Sequence, residues 1–254
     1  MIRKFHADTT PNSARIAEIE AKIAEKANDA ERWYDLGCEY SQSDFEKSLN
    51  AYSVAIGLDP FNAEYYFNRA RKYLSICRFP EALADFATAL RIDRSDGQYW
   101  HYLGVALYYL GRYDEAAQYF ADALKMNRKF GVDCVWPEVD WMWMSCMRAG
   151  KPAAAEACLA QVADDWYSSE GDMAYKKRVR LYKGLISIDD YLRQVNRADK
   201  LDEMTDLYGA VNYYRFIHRD DRRAEALLDE ILAIDVYHNG FAWMCASFDK
   251  RDGV

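Results

Sequence analysis

Residues 100–123 read WHYLGVALYYLGRYDEAAQYFADA, and the spacing of large and small apolar residues in this segment occurs twice more upstream. Tyr52, Phe86 and Phe120 follow one another at intervals of 34 residues. The same interval separates three alanines of the pattern, which are Ala55, Ala89 and Ala123. A period of this length is typical of stacked supersecondary units and not of one globular core.

The composition limits the fold class and the kind of partner. The chain has 254 residues, of which 51% are hydrophobic, and this is ample apolar material for a core. Its 12 Gly and 5 Pro are few for an all-β chain with many tight turns. A net charge of −8 repels phosphate backbones, so we expect no nucleic-acid partner.

The cysteines and the amino terminus bear on cofactors and location. The six cysteines show no Cys-x-x-Cys spacing, so the sequence predicts no zinc site, no redox motif and no cofactor. We interpret them as buried free thiols in a reducing compartment. Met1–Thr10 has no apolar run typical of a secretory signal, and no segment approaches the roughly 18 apolar residues of a membrane span. We therefore expect a cytoplasmic protein without a membrane partner.

A denser motif marks the first repeat. Trp33, Leu36, Gly37 and Tyr40 stand in the order W-x-x-L-G-x-x-Y, and Pro60 follows the second half of the repeat. This pattern resembles the tetratricopeptide repeat (TPR) family, in which each unit is a pair of antiparallel helices. The resemblance implies an all-α, right-handed TPR superhelix (solenoid) of about five helix-turn-helix units with a capping helix.

The resemblance is strongest over residues 30–128 and weakens toward the carboxyl terminus. A helix from Ser13 with an apolar stripe precedes the repeats, and residues 172–184 and 188–196 are predicted to form two short helices. We expect four segments: a flexible lead (1–12), an N-terminal helix with four TPR-like units (13–164), a helical spacer (165–198), and a degenerate TPR-like unit with a capping helix (199–254).

In this family, ligands lie in a groove lined by the first helix of each pair, so the resemblance implies a binding face on these helices. The ten candidate residues on this face are Tyr34, Phe67, Asn68, Arg71, His101, Tyr102, Val105, Tyr109, Trp141 and Met144. Aromatic residues are abundant among them, and such residues are enriched at binding hot spots. A second interpretation stays open, in which these rings pack on the chain's own helices or the chain's own tail fills the groove.

The predicted function is a protein–protein interaction scaffold or adaptor whose groove binds a peptide or helix of a protein partner. The carboxylate clamp found in some TPR proteins is not predicted, because only Asn68 matches among its five positions. The histidines are far apart, and no phosphate loop or nucleophile elbow occurs, so we expect no catalytic residues and no enzyme. The basic residues at 176–180 are interpreted as a solvated helix face.

Three alternatives come from other classes. The first is a self-associating structural protein, in which the aromatic faces of two copies pair as a homo-oligomer. The second is a bacterial cell-envelope scaffold, because the order of parts is similar to that of TPR lipoproteins, although this sequence shows no lipobox. The third is a hydrolase with a cysteine–histidine pair contributed by distant units.

Overall fold

The structure is a computed structural model that describes residues 12–129, 135–163, 165 and 172–252. These residues contain helices and turns and no strand, which confirms the all-α prediction. The described α-helices are α1 (Ser13–Glu25), α2 (Ala30–Tyr40), α3 (Phe45–Leu58), α4 (Ala63–Ser75), α5 (Phe79–Ile92), α6 (Gly97–Tyr109), α7 (Tyr113–Lys129), α8 (Trp136–Arg148), α9 (Pro152–Ala160), α10 (Met173–Tyr182), α11 (Ile188–Arg193), α12 (Lys200–Asn212), α13 (Asp221–Leu232) and α14 (Phe241–Asp252). A π-helical turn, Tyr213–His218, continues α12.

The described residues belong to two compact units. The first unit ends at Leu110 and contains α1 to α6, whereas the second begins at Gly111 and contains α7 to α14. Consecutive helices pack in pairs within each unit, such as α2 with α3, α4 with α5, α8 with α9 and α12 with α13. The segment boundaries expected from the sequence stay a prediction. Of the lead at 1–12, only Asn12 lies within the described residues.

Short polar side chains cap the amino termini of α3, α4 and α6 in the first unit. Asp44 accepts a hydrogen bond from the backbone N–H of Lys47 at the start of α3, at 3.0 Å. Asn62 and Asp96 occupy the equivalent positions before α4 and α6 and accept from backbone N–H groups at 3.0 and 2.8 Å. Each side chain satisfies an N–H that the first helical turn leaves without a partner, so a new helix begins after each connection.

The periodic residues form the core of the first unit. Tyr52 is 1% exposed and Phe86 is 0% exposed. A Cβ added at Gly37 would lie 2.6 Å from a ring carbon of Tyr52, so only glycine permits this approach of α2 to α3. The predicted stripe of α1 is buried against α2 and α3; the cluster contains Ile16, Ile19, Ile23, Leu36 and Ala51.

The second unit is built around α8. Every residue from Trp136 to Cys146 is buried, including those on the face that an amphipathic helix would expose. A helix that is covered on all sides lies in a core and not at a surface. The covering elements include α7, α9 and α10, all of which pack against α8. Phe120 of α7 is 0% exposed, as its place in the repeat predicts.

A buried ionic network holds α14 within the second unit. Asp249 of α14 accepts hydrogen bonds from Arg148 and from Arg215, both at 2.6 Å. The Tyr208 hydroxyl donates to the same carboxylate at 3.0 Å. A carboxylate shared by two guanidinium groups and a hydroxyl has its lone pairs occupied, which such burial requires. The network therefore fixes the capping helix to α8, to α12 and to the π-helical turn.

Candidate peptide-binding face

Eight of the ten predicted groove residues lie in the first unit, on α2, α4 and α6. We call the surface that carries them the α2–α4–α6 face. Side-chain contacts link its helices in order: Tyr34 of α2 stacks on Tyr65 of α4 with ring centroids 4.9 Å apart. Phe67 of α4 lies 5.3 Å from the ring of Tyr102 of α6, in an edge-to-face arrangement. The α2–α4–α6 face is therefore one continuous surface within this unit.

A polar network occupies the α2 end of the face. The Tyr34 hydroxyl donates to Glu64 at 2.6 Å, and the Asn68 amide donates to the Tyr34 oxygen at 3.1 Å and to the Glu64 carbonyl at 3.1 Å. Burial and the bond to Glu64 raise the pKa of Tyr34 well above its ordinary value, so the hydroxyl keeps its proton. Both donors of this network are thus oriented by the protein before any ligand arrives.

Arg71 lies on α4 of this face and is exposed to solvent. Its guanidinium carbon lies 5.5 Å from the ring centroid of Tyr102 and 5.8 Å from that of Phe67. Among the described residues, no carboxylate lies within ion-pair distance of it. Cation–π contact holds a guanidinium in place without consuming its hydrogen-bond donors. Arg71 therefore presents an ordered positive charge at the surface.

Beside Arg71, the aromatic residues differ in how much surface they offer. Tyr102 and His101 are half-buried and meet edge to face at 5.3 Å. Tyr109 is also half-buried, but one side of its ring stacks on Phe79 at 4.9 Å. Phe67 and Val105 are buried and belong to the core. The accessible part of the face consists of Tyr34, Asn68, Arg71, His101, Tyr102 and the outer edge of Tyr109.

The other two predicted residues, Trp141 and Met144, lie in the second unit and are not at a surface. They are 2% and 1% exposed. Trp141 stacks on Phe120 at 5.8 Å and meets Phe241 edge to face at 5.6 Å. The sulfur of Met144 accepts hydrogen bonds from other helices. In the structure these two side chains therefore do not line an open groove. Helices α7 and α14 cover Trp141, and α10 and α12 contact Met144.

Helix α10 also covers the α8 face, through Arg178. Its guanidinium lies 3.0 Å from the carboxylate of Asp140 and donates to the sulfur of Met144 at 3.0 Å. Tyr182, one turn further on, stacks on Trp143 at 3.9 Å. Asp140 is fully buried, and this burial raises its pKa to about 7, although the charge of Arg178 opposes the shift. The chain itself therefore covers this face of α8.

Sequence patterns missed this pair. Arg178 belongs to the basic run at 176–180, which was predicted to be a solvated helix face. In the structure Arg178 is buried, and Lys177 donates to the buried Asp206 at 2.6 Å. The one sequence signal pointing to this arrangement is that Val179 and Leu181 are interleaved with the basic residues. That alternation does not name the carboxylates that pair with them.

The described residues show no cluster of three or more histidine, cysteine or acidic side chains arranged to hold a metal ion. Within the same residues, no helix combines the length and the apolar character needed to cross a bilayer. Free thiols occur in both units: Cys38 is exposed on α2, and Cys77 is half-buried, whereas Cys146, Cys158 and Cys245 are buried. Cys134 lies outside the described residues.

Comparison with sequence families agrees with the repeat pattern. Two profiles of the tetratricopeptide repeat match the chain, one over residues 39–96 and one over residues 97–130. The chain belongs to the tetratricopeptide repeat family. The matched residues contain α3 to α7 and thus extend over α4 and α6, the helices that carry most of the accessible face.

Three solved structures are similar to this chain, and the first two have TM-scores above 0.5, which shows a shared fold. YrrB, described as a TPR protein with an unusual peptide-binding site, is 19% identical, with 92% of this chain and 97% of YrrB covered and a TM-score of 0.53. MamA from Desulfovibrio magneticus RS-1 is 14% identical, with 60% of this chain and 84% of MamA covered and a TM-score of 0.54. The Arabidopsis OM64 TPR domain is 35% identical, with 39% of this chain and 84% of the domain covered and a TM-score of 0.38. No curated protein matches the chain.

Proposed function

We propose that this TPR protein is a protein-interaction scaffold whose α2–α4–α6 face binds a peptide segment of a protein partner. The segment carries a carboxylate that pairs with Arg71 and an adjacent apolar side chain that packs on Tyr102 and His101. The observation that carries the proposal is the exposed guanidinium of Arg71, held over two rings and without a carboxylate partner among the described residues.

The surrounding chemistry supports this assignment. A guanidinium offers several N–H donors in a plane and forms charge-assisted hydrogen bonds with carboxylates. Half-buried aromatic rings lose little side-chain entropy on binding and bury a large area, so they suit an apolar neighbour of that carboxylate. Peptide binding is described for the TPR protein YrrB, which supports the class of ligand and not its sequence.

The mechanism is equilibrium binding on a preorganised surface. The Tyr34–Glu64–Asn68 network is hydrogen-bonded before binding, and Arg71 already lies within cation–π distance of two rings, so the protein loses little conformational freedom when a peptide binds. TPR proteins are generally non-catalytic scaffolds, and we assign no catalytic residue. The two donors of Asn68 are held by Tyr34 and the Glu64 carbonyl, so we assign the carboxylate to Arg71 alone.

A peptide library displayed on phage and selected on the full chain tests the proposal. We expect the selected sequences to be enriched in an acidic residue, or a free carboxyl terminus, next to an apolar residue. Fluorescence anisotropy with one selected peptide then compares variants. Arg71→Ala should weaken binding about tenfold or more, because a charge-assisted contact is lost.

The matched control is Arg91→Ala. Arg91 is an exposed arginine on α5 that donates to Thr88, and its removal changes the net charge by the same amount. Equal losses for the two variants would mean that only overall charge matters. A selected set without acidic residues, or unchanged affinity in Arg71→Ala, would refute the assignment.

A further inference from the structure

We propose that the second unit has its own binding site, a cavity that receives the basic side chain, lysine or arginine, of a partner peptide. The cavity has a volume of about 330 Å³ and lies where α10, α12 and α14 begin. This volume is at the lower end of the range for small-ligand sites and accommodates one long side chain. The site is independent of the α2–α4–α6 face, because all of its lining residues belong to the second unit.

The walls of the cavity combine rings, an aliphatic side chain and a carboxylate. Tyr175 and Phe241 provide the rings, and Leu201 provides the aliphatic surface. The polar lining includes Asp202 and Asn239. Aromatic faces next to a carboxylate form the environment that an ammonium or guanidinium head prefers, because ring quadrupole and charge both attract a cation. The aliphatic wall suits the methylene stem of the same side chain.

Asp202 is the charged group available to a ligand. It is exposed, and its carboxylate accepts a hydrogen bond from the neutral side-chain amide of Asn196 at 3.0 Å. No lysine or arginine among the described residues lies within ion-pair distance of it. The neighbouring Lys200 pairs instead with Glu203. The carboxylate at the cavity therefore has a hydrogen-bond partner but no counter-charge.

Three other basic side chains of this region have partners away from the cavity. Lys177 pairs with the buried Asp206 at 2.6 Å, and the ammonium of Lys176 lies 5.0 Å from the centre of the Trp136 ring. Arg197 pairs with Glu203 and Glu230. None of them lines the cavity. The guanidinium carbon of Arg178 lies 5.7 Å from the centre of the Tyr175 ring, but this side chain pairs with Asp140 and is not part of the lining. A cation from a partner would therefore meet no competing cation at Asp202.

The amino-terminal ends of the helices oppose the binding of a cation at this cavity. The amino termini of α10, α12 and α14 each place about half a positive charge near the cavity. Acidic side chains at the same ends outweigh this charge: Asp172 precedes α10, and Asp199 and Asp202 lie at the start of α12. With the net charge of −8 on the chain, the balance favours a basic ligand over an acidic one.

Titration of the full ¹⁵N-labelled chain with blocked amino acids tests the proposal. The probes are the N-acetyl methylamides of lysine, norleucine and glutamate, which share a backbone and differ in the head group. We expect the lysine probe to shift the amide signals of Asp202, Gly240 and Phe241 saturably, with millimolar affinity. Norleucine and glutamate should give at most a tenth of that affinity.

Three variants make the result decisive. Asp202→Asn keeps the shape and the acceptor for Asn196, and it should weaken lysine binding at least about tenfold. Thr205→Leu narrows the cavity and should also weaken binding. Asp221→Asn removes an exposed carboxylate from the start of α13, outside the cavity lining, and should leave binding unchanged.

Several outcomes would overturn the proposal. Equal affinity for lysine and norleucine would show a merely apolar depression, and equal losses in Asp202→Asn and Asp221→Asn would show non-specific charge attraction. The absence of saturable shifts at the lining amides would also refute it. Each outcome leaves the Arg71 assignment untouched, because that assignment concerns the other unit.

Discussion

The α2–α4–α6 face and α8 contain corresponding repeat positions, which are accessible in the first unit and buried in the second. In the first unit, Arg71 is exposed on its two rings and no described carboxylate pairs with it. In the second unit, the equivalent face of α8 is closed by Arg178, which pairs with Asp140 and contacts Met144. The repeat motif thus specifies helix packing in both places. Whether the face is open depends on segments outside the motif.

The largest difference should appear when a large ring is removed from each face. Trp141→Ala should lower the free energy of unfolding by about 5 kcal/mol, because this side chain is buried between Phe120 and Phe241. Tyr102→Ala should lower it by about 1–2 kcal/mol, since the ring is half-buried. Urea unfolding followed by circular dichroism measures both. Equal losses of stability in the two variants would contradict the distinction between an open and a closed face.

The arginines of the two faces give the next comparison. At a pH above 7, where Asp140 is ionised, Arg178→Ala should cost about 3–4 kcal/mol, because the buried carboxylate of Asp140 loses its counter-charge. Arg71→Ala should change the stability by less than about 0.5 kcal/mol. The same urea experiment applies. An Arg178 variant as stable as the Arg71 variant would mean that α10 is not fixed through this pair.

A smaller effect follows from the titration of Asp140. Its pKa of about 7 in the folded chain exceeds the ordinary value of about 4, so the native state holds a proton that the unfolded state has released between these values. This group therefore contributes stability at low pH that is lost as the pH rises from 4 to 7. The free energy of unfolding of Asp140→Asn, taken relative to that of the wild type, should therefore rise steadily over that pH range. A stability difference that is constant with pH, or that changes in the opposite direction, would contradict the raised pKa.

The sequence predicted the buried residues within the repeats but not the contacts made outside them. The interval of 34 residues places Tyr52, Phe86 and Phe120 in the core, and the structure buries all three. Gly37 of the quoted motif lies where α2 and α3 approach closely, because this approach has a fixed position in the repeat. These features depend on neighbours within one repeat, so a local pattern records them.

Contacts between segments that are far apart in the sequence produce no such local pattern. Asp140 and Arg178 belong to different helices, and nothing in the spacing of either one identifies the other. The π-helical turn after α12 was also missed, since it ends at Arg219 in the left-handed region, with φ of 60°, where a glycine would have been the usual signal. At the candidate site, the sequence predicted both Tyr102 and Trp141 to be groove residues. Burial by α7 and α14 separates them, and burial is a tertiary property.

Site-resolved thiol labelling of a Met144→Cys variant tests the contrast most directly. Cys38 is the ninth residue of α2 and Met144 is the ninth residue of α8, so the two positions correspond. Cys38 is exposed, whereas Met144 is 1% exposed and in contact with Arg178. With a thiol reagent and detection of each labelled peptide by mass spectrometry, Cys38 should react at least about a hundredfold faster than the thiol introduced at position 144, which needs an opening of the fold. Equal rates at the two positions would show that the α8 face is as open as the α2–α4–α6 face and would contradict the account.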